Sequence, residues 1–122
     1  MIWDHIIPRR WRHSVTSRTR EQILEERRRL KAEYGELFDL TAALLFRHDP
    51  IGINFETNTD EYEPEVGTIL PRLRGCQSEE QVRRVVQEEF VRWFGADIAG
   101  RQEQYAQIAA ELWQLYRKSL AS

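Results

Sequence analysis

Six carboxylates crowd one short stretch of this chain: Asp49, Glu56, Asp60, Glu61, Glu63 and Glu65. Residues 48–70 hold these six acids and no Lys or Arg. Carboxylates at such density can bind a hard cation, cap a helix or attract a basic surface. The EF-hand form of the cation reading fails on spacing. Asn58, Asp60 and Tyr62 alternate as an EF-hand loop begins, but Tyr62 stands where the third ligand belongs. No metal site and no cofactor is therefore assigned. Asp49-Pro50-Ile51-Gly52 reads as a turn, with Pro50 stopping a helix and Gly52 free to take positive φ. Tyr62, flanked by acids near a helix start, reads as a half-buried aromatic anchor rather than a catalytic acid.

Other chemistry-bearing residues are scattered. His5, His13 and His48 never pair at the i, i+4 spacing of a helical metal site. His48 and Asp49 are adjacent, which turns their side chains apart. No nucleophile motif accompanies them. Cys76 is the only cysteine, so no intramolecular disulfide or Cys-rich zinc site can form. Its place just before a helix start could lower its pKa, but a lone cysteine reads first as inert. At the N-terminus, Arg9, Arg10 and Arg12 interleave with Trp3 and Trp11. Arginine can grip phosphate and tryptophan can stack on bases, so this arm is the candidate nucleic-acid contact.

The elements that carry these residues are helical. Thr19 and Gln22 fit a capping box. Ile23, Leu30, Leu37 and Leu44 then recur every seven residues, predicting one helix over residues 19–47 with Gly35 as a bend or close crossing. A short helix is expected over residues 61–73, tolerating Pro64 in its first turn and kinked or ended by Pro71. Ser78 and Gln81 form a second capping box. Val82, Val85, Val86, Phe90, Trp93 and Phe94 follow as an apolar stripe closed by Gly95. The last helix is expected from Asp97, with Tyr105, Ile108, Ala109, Leu112, Trp113 and Tyr116 as its stripe and Leu120 behind. The fold class is all-α: a single small bundle of about four helices, residues 19–122, preceded by an extended arm, residues 1–18.

Length and composition agree with one globular domain of 122 residues, 41% hydrophobic and 31% charged. Net charge is −2, but unevenly spread: residues 1–34 carry nine Lys/Arg against five Asp/Glu. Sixteen of the eighteen basic residues are Arg, which suggests a bacterial source of high GC content. No apolar run reaches the length of a bilayer span, and the N-terminus lacks the order of a signal peptide. The chain is read as cytoplasmic.

Asp49-Pro50-Ile51-Gly52, Asp60-Glu61-Tyr62, Val66-Gly67, Ile69-Leu70 and Phe90 through Gly95 together resemble a family of small bacterial all-helical domains to which no reaction is assigned. The likeness covers residues 45–95. It implies a compact helical fold, and similar small proteins include toxin-neutralising, immunity-like ones. The functional expectation is a non-enzymatic protein-binding module. Asp49, Glu56, Asp60, Glu61, Glu63 and Glu65 would face a basic partner, with Tyr62 as the anchor. The alternative is a nucleic-acid-associated regulator using the Arg/Trp arm.

Overall fold

The computed structural model describes residues 20–52 and 62–121. Among the described residues the chain is all-helical, with no strand. Six α-helices are present: α1 (Arg20–Tyr34), α2 (Glu36–His48), α3 (Glu63–Leu73), α4 (Glu79–Phe94), α5 (Ala96–Ala99) and α6 (Ala106–Ala121). A 3-10 turn (Gln102–Tyr105) leads into α6. The expected arm and the Thr19 cap lie outside the described residues. No helix among the described residues is long and apolar enough to cross a membrane.

Two differences from the expected four helices have backbone causes. The long first helix is cut at Gly35, where φ is +58° and ψ −133°. A side chain rarely tolerates that conformation, and it stops the hydrogen-bond ladder. The Gly35 N–H still bonds the Lys31 carbonyl at 2.7 Å, while Phe38 N–H bonds Gly35 at 3.1 Å. The periodic stripe survives the break, because Leu37 and Leu44 are both buried. The last helix does not start at Asp97. That residue belongs to the four-residue α5, which Gly100 ends at φ +80°. Tyr105 Oη donates to the Ala99 carbonyl at 2.6 Å and holds the detour against the core. Leu120, placed with the apolar stripe, is instead 67% exposed.

Other boundaries follow the sequence closely. α3 keeps Pro64 in its first turn, where amide hydrogens have no intrahelical partner. It runs two residues past Pro71 before ending at Leu73. Ser78 Oγ accepts from Gln81 N–H at 3.2 Å. The reciprocal bond shifts by one residue, since Gln81 Oε1 accepts from Gln77 N–H at 2.6 Å rather than from Ser78.

Helix α4 is central and packs against α3, α5 and α6, while α2 lies along α6. Phe90 is the hub of the core. Its ring stacks on Phe94 at 5.5 Å and meets Tyr105 at 5.3 Å and Tyr62 at 6.0 Å. Burial of these rings supplies the main drive for folding. One charge goes in with them. Glu89 is 1% exposed and accepts from Arg72 at 2.8 Å and Arg92 at 3.3 Å. A buried carboxylate is tolerated when cations and hydrogen bonds replace its water, and here they also tie α3 to α4. Trp93 Nε1 donates to Thr68 Oγ1 at 3.0 Å across the same pair of helices.

Candidate functional site

The chemistry-bearing residues converge on the C-terminal end of α2. Arg47 and His48 occupy its last turn, and Asp49 follows in the left-handed region at φ +48°. Asp49 N–H bonds the Leu45 carbonyl at 2.8 Å, closing the helix. Its carbonyl accepts from Gly52 N–H at 3.1 Å, which completes the turn expected of Asp49-Pro50-Ile51-Gly52. Gly52 takes the positive φ expected of it, at +77°, and Asp49 adds a second left-handed residue to the turn. Asparagine and aspartate accept this conformation more readily than other side chains do.

Tyr62 closes the site from the other side. It is fully buried, and its hydroxyl donates to Asp49 Oδ1 at 2.7 Å. The Tyr62 hydroxyl oxygen in turn accepts from Ile51 N–H at 3.2 Å. Burial pushes the phenol pKa far above its ordinary value, and the bond to Asp49 adds to the shift. Tyr62 therefore acts as a neutral strut. It anchors the chain's own turn, not an exposed surface.

His48 and Asp49 diverge, as adjacent residues should. His48 Nε2 pairs with Glu111 Oε2 of α6 at 2.7 Å, and Arg47 bonds the other oxygen of the same carboxylate. The His48 bond holds the Glu111 pKa below the usual carboxylate value. Partial burial opposes it, and the Arg47 charge reinforces it. His48, Asp49 and Glu111 thus form two struts and not one relay. Neither strut contains a nucleophile.

The remaining acids of the segment are placed as follows. Glu63 stands at the start of α3 between Arg27 at 3.5 Å and Lys31 at 3.4 Å, with 11% of its side chain exposed. Glu65 is buried in the first turn of α3. Glu56, Asp60 and Glu61 lie outside the described residues, as do Trp3, Arg9, Arg10, Trp11 and Arg12 of the arm. The sequence reading gave Asp49, Glu63 and Glu65 to a partner-facing segment, with Tyr62 as its half-buried anchor. Folding turns Tyr62 and Glu65 into the interior and gives Glu63 to α1. Reasoning from sequence also missed Glu111, whose only signal was its position one turn from the α6 stripe.

Cys76 is half-buried, and burial raises its pKa, so the thiolate is disfavoured. Among the described residues no group of three or more His, Cys, Asp or Glu side chains could hold a metal ion. Two open depressions are lined by described residues of some extent. One, of about 580 Å³, runs between α2 and α6 beside the Arg47–Glu111 pair. The other, of about 620 Å³, lies between α4 and the 3-10 turn and is lined by Arg83, Gln87 and Glu103, among others. Gln87 Nε2 donates to the Gly100 carbonyl at 3.1 Å across it.

Comparison of the chain with protein-family models, with curated proteins and with solved structures gives no match.

Proposed function

We propose that the protein works by binding another protein, without catalysis, and that its acidic segment meets a basic surface on that partner. One observation carries this reading: the segment is clamped at both ends. Tyr62 holds Asp49 and Ile51 together on one side, and Glu63 is gripped by Arg27 and Lys31 immediately afterwards. Between these anchors the sequence supplies Glu56, Asp60 and Glu61 and no basic residue. Fixed ends lower the ordering cost of engaging a partner. A one-signed charge cluster speeds encounter with a cationic surface. Resemblance to small immunity-like domains is consistent with such a surface belonging to a basic toxin, such as a nuclease.

The test is a double reversal, Asp60→Lys with Glu61→Lys. Partners recovered from the host with the unaltered protein are remeasured against the variant by stopped-flow mixing. Association at low salt should slow by about tenfold or more, and the difference should shrink as salt is added. Association that is insensitive to salt and survives both reversals would refute the reading.

A further inference from the structure

Two arginines without a carboxylate partner line the depression between α4 and the 3-10 turn: Arg83 on one wall and Arg101 on the other. Among the described residues neither guanidinium forms an ion pair, and Arg83 forms no hydrogen bond. For Arg83 this is unexpected. Glu79 stands four residues before it and Glu80 three, the spacings at which a glutamate captures an arginine on a helix surface. Both line a smaller hollow beside Arg83, together with Ala106 and Ala109 of α6, and neither comes within ion-pair reach. Arg83 is only partly exposed, and its Nε is enclosed without an acceptor. Enclosure there restrains the stem of the side chain. The two terminal nitrogens are not enclosed, and they form the fork that a carboxylate engages with both oxygens. An anion arriving at that fork meets a cation neither neutralised by a neighbour nor free to swing.

The facing wall is equally fixed. Gly100 takes φ +80° and turns the chain into Arg101, whose backbone N–H bonds Gln104 Oε1 at 3.2 Å. Gln87 Nε2 ties the two walls together through the Gly100 carbonyl at 3.1 Å. One carboxylate, Glu103, lines the same depression. It lies two residues from Arg101, a spacing at which side chains diverge, and it does not pair with Arg83. Two guanidinium groups and one carboxylate leave the depression with a single net positive charge. That balance suits a monoanion. A phosphate dianion would face Glu103 inside the depression and Glu79 and Glu80 beside it. The volume, about 620 Å³, falls in the range of small-molecule sites.

We propose that this depression binds a small organic carboxylate, gripped by Arg83 and Arg101. Gln102, on the same rim, offers a carboxamide to the rest of the ligand. The site uses none of residues 49–65, so it stands or falls apart from the acidic segment.

The probe is propionate, titrated into the full chain labelled with nitrogen-15, at constant ionic strength. Inorganic phosphate at pH 7.5 and uncharged propionamide are titrated beside it. Propionate should give saturable amide shifts concentrated at Gln87 and at residues 100–103. Propionamide should give none, and phosphate should bind more weakly. Arg101→Gln should weaken propionate by about tenfold or more without lowering the melting temperature, because the side chain is exposed. Arg83→Gln should weaken it as much. If that partly buried change unfolds the protein, Arg101→Gln decides alone. Glu103→Gln should narrow the gap between phosphate and propionate. Shifts that never saturate, or that spread equally to exposed arginines such as Arg74 and Arg84, would mean adventitious contact only and overturn the proposal. Tighter binding of phosphate than of propionate overturns it too, as does propionate binding that survives Arg101→Gln.

Discussion

At the scale of residues, function and stability compete for the same side chains, and stability claims most of the described ones. Tyr62 shows this best. A tyrosine between acids invites a role at a surface, yet its hydroxyl joins Asp49 to Ile51 N–H. Tyr62→Phe keeps the buried ring and removes both bonds, leaving a partly buried carboxylate and an amide with fewer partners. The loss should be about 1–3 kcal/mol in urea denaturation. A change within error would mean that water satisfies Asp49 as well as the phenol does. The sequence could show that Asp49 begins a turn, through Pro50 and Gly52. It could not show that Tyr62 completes that turn, because the two residues meet only after α3 packs on α2.

At the scale of elements, the helices written in strong local signals were legible and the interruptions were not. α4 could be read end to end: Ser78 caps it, a regular apolar stripe buries it and Gly95 stops it. Gly35 was harder. A glycine inside a seven-residue repeat looks the same whether the helix runs through it or breaks there. The repeat persists on both sides, since Leu37 and Leu44 are buried and Leu30 packs on the core. Substitution separates the two cases by sign. In a continuous helix Gly→Ala stabilises by about 1 kcal/mol. At φ +58° and ψ −133° a side chain is strained, and open space around the position means that strain alone decides. Gly35→Ala should therefore destabilise by about 1–3 kcal/mol, read as a shift of the urea midpoint. A similar ambiguity hid α5, where Gly100 and the Tyr105–Ala99 bond split what reads as one helix.

At the scale of the whole molecule, α2 and α6 are joined by an ion cluster whose strength depends on pH. Glu111 has its pKa lowered in the folded state, first by His48 and further by Arg47. A depressed carboxylate adds stability above its unfolded pKa of about 4.5 and loses it as pH falls through the folded value. The protein should thus soften at acid pH through this contact, and Glu111→Gln should flatten that limb of a stability–pH curve. The difference will be modest, because Glu111 is partly exposed and water screens it. A variant curve parallel to that of the unaltered protein would place the acid sensitivity elsewhere. The uneven charge of the chain was visible in the sequence. Which of those charges pair across helices, as Glu63 does with Arg27 and Lys31, required the helices to be placed.

The bond between Ile51 and Tyr62 has a further consequence, for how such a protein can change over evolutionary time. Tyr62 ties its own position to Asp49 and Ile51, so one side chain fixes the two points between which the sequence runs from residue 53 to residue 61. An insertion between those fixed points leaves both of them in place. Doubling the length of such an insert costs only about 0.6 kcal/mol in closure entropy. Sequence between those points can lengthen or change while the Phe90 core and the helices around it stay as they are.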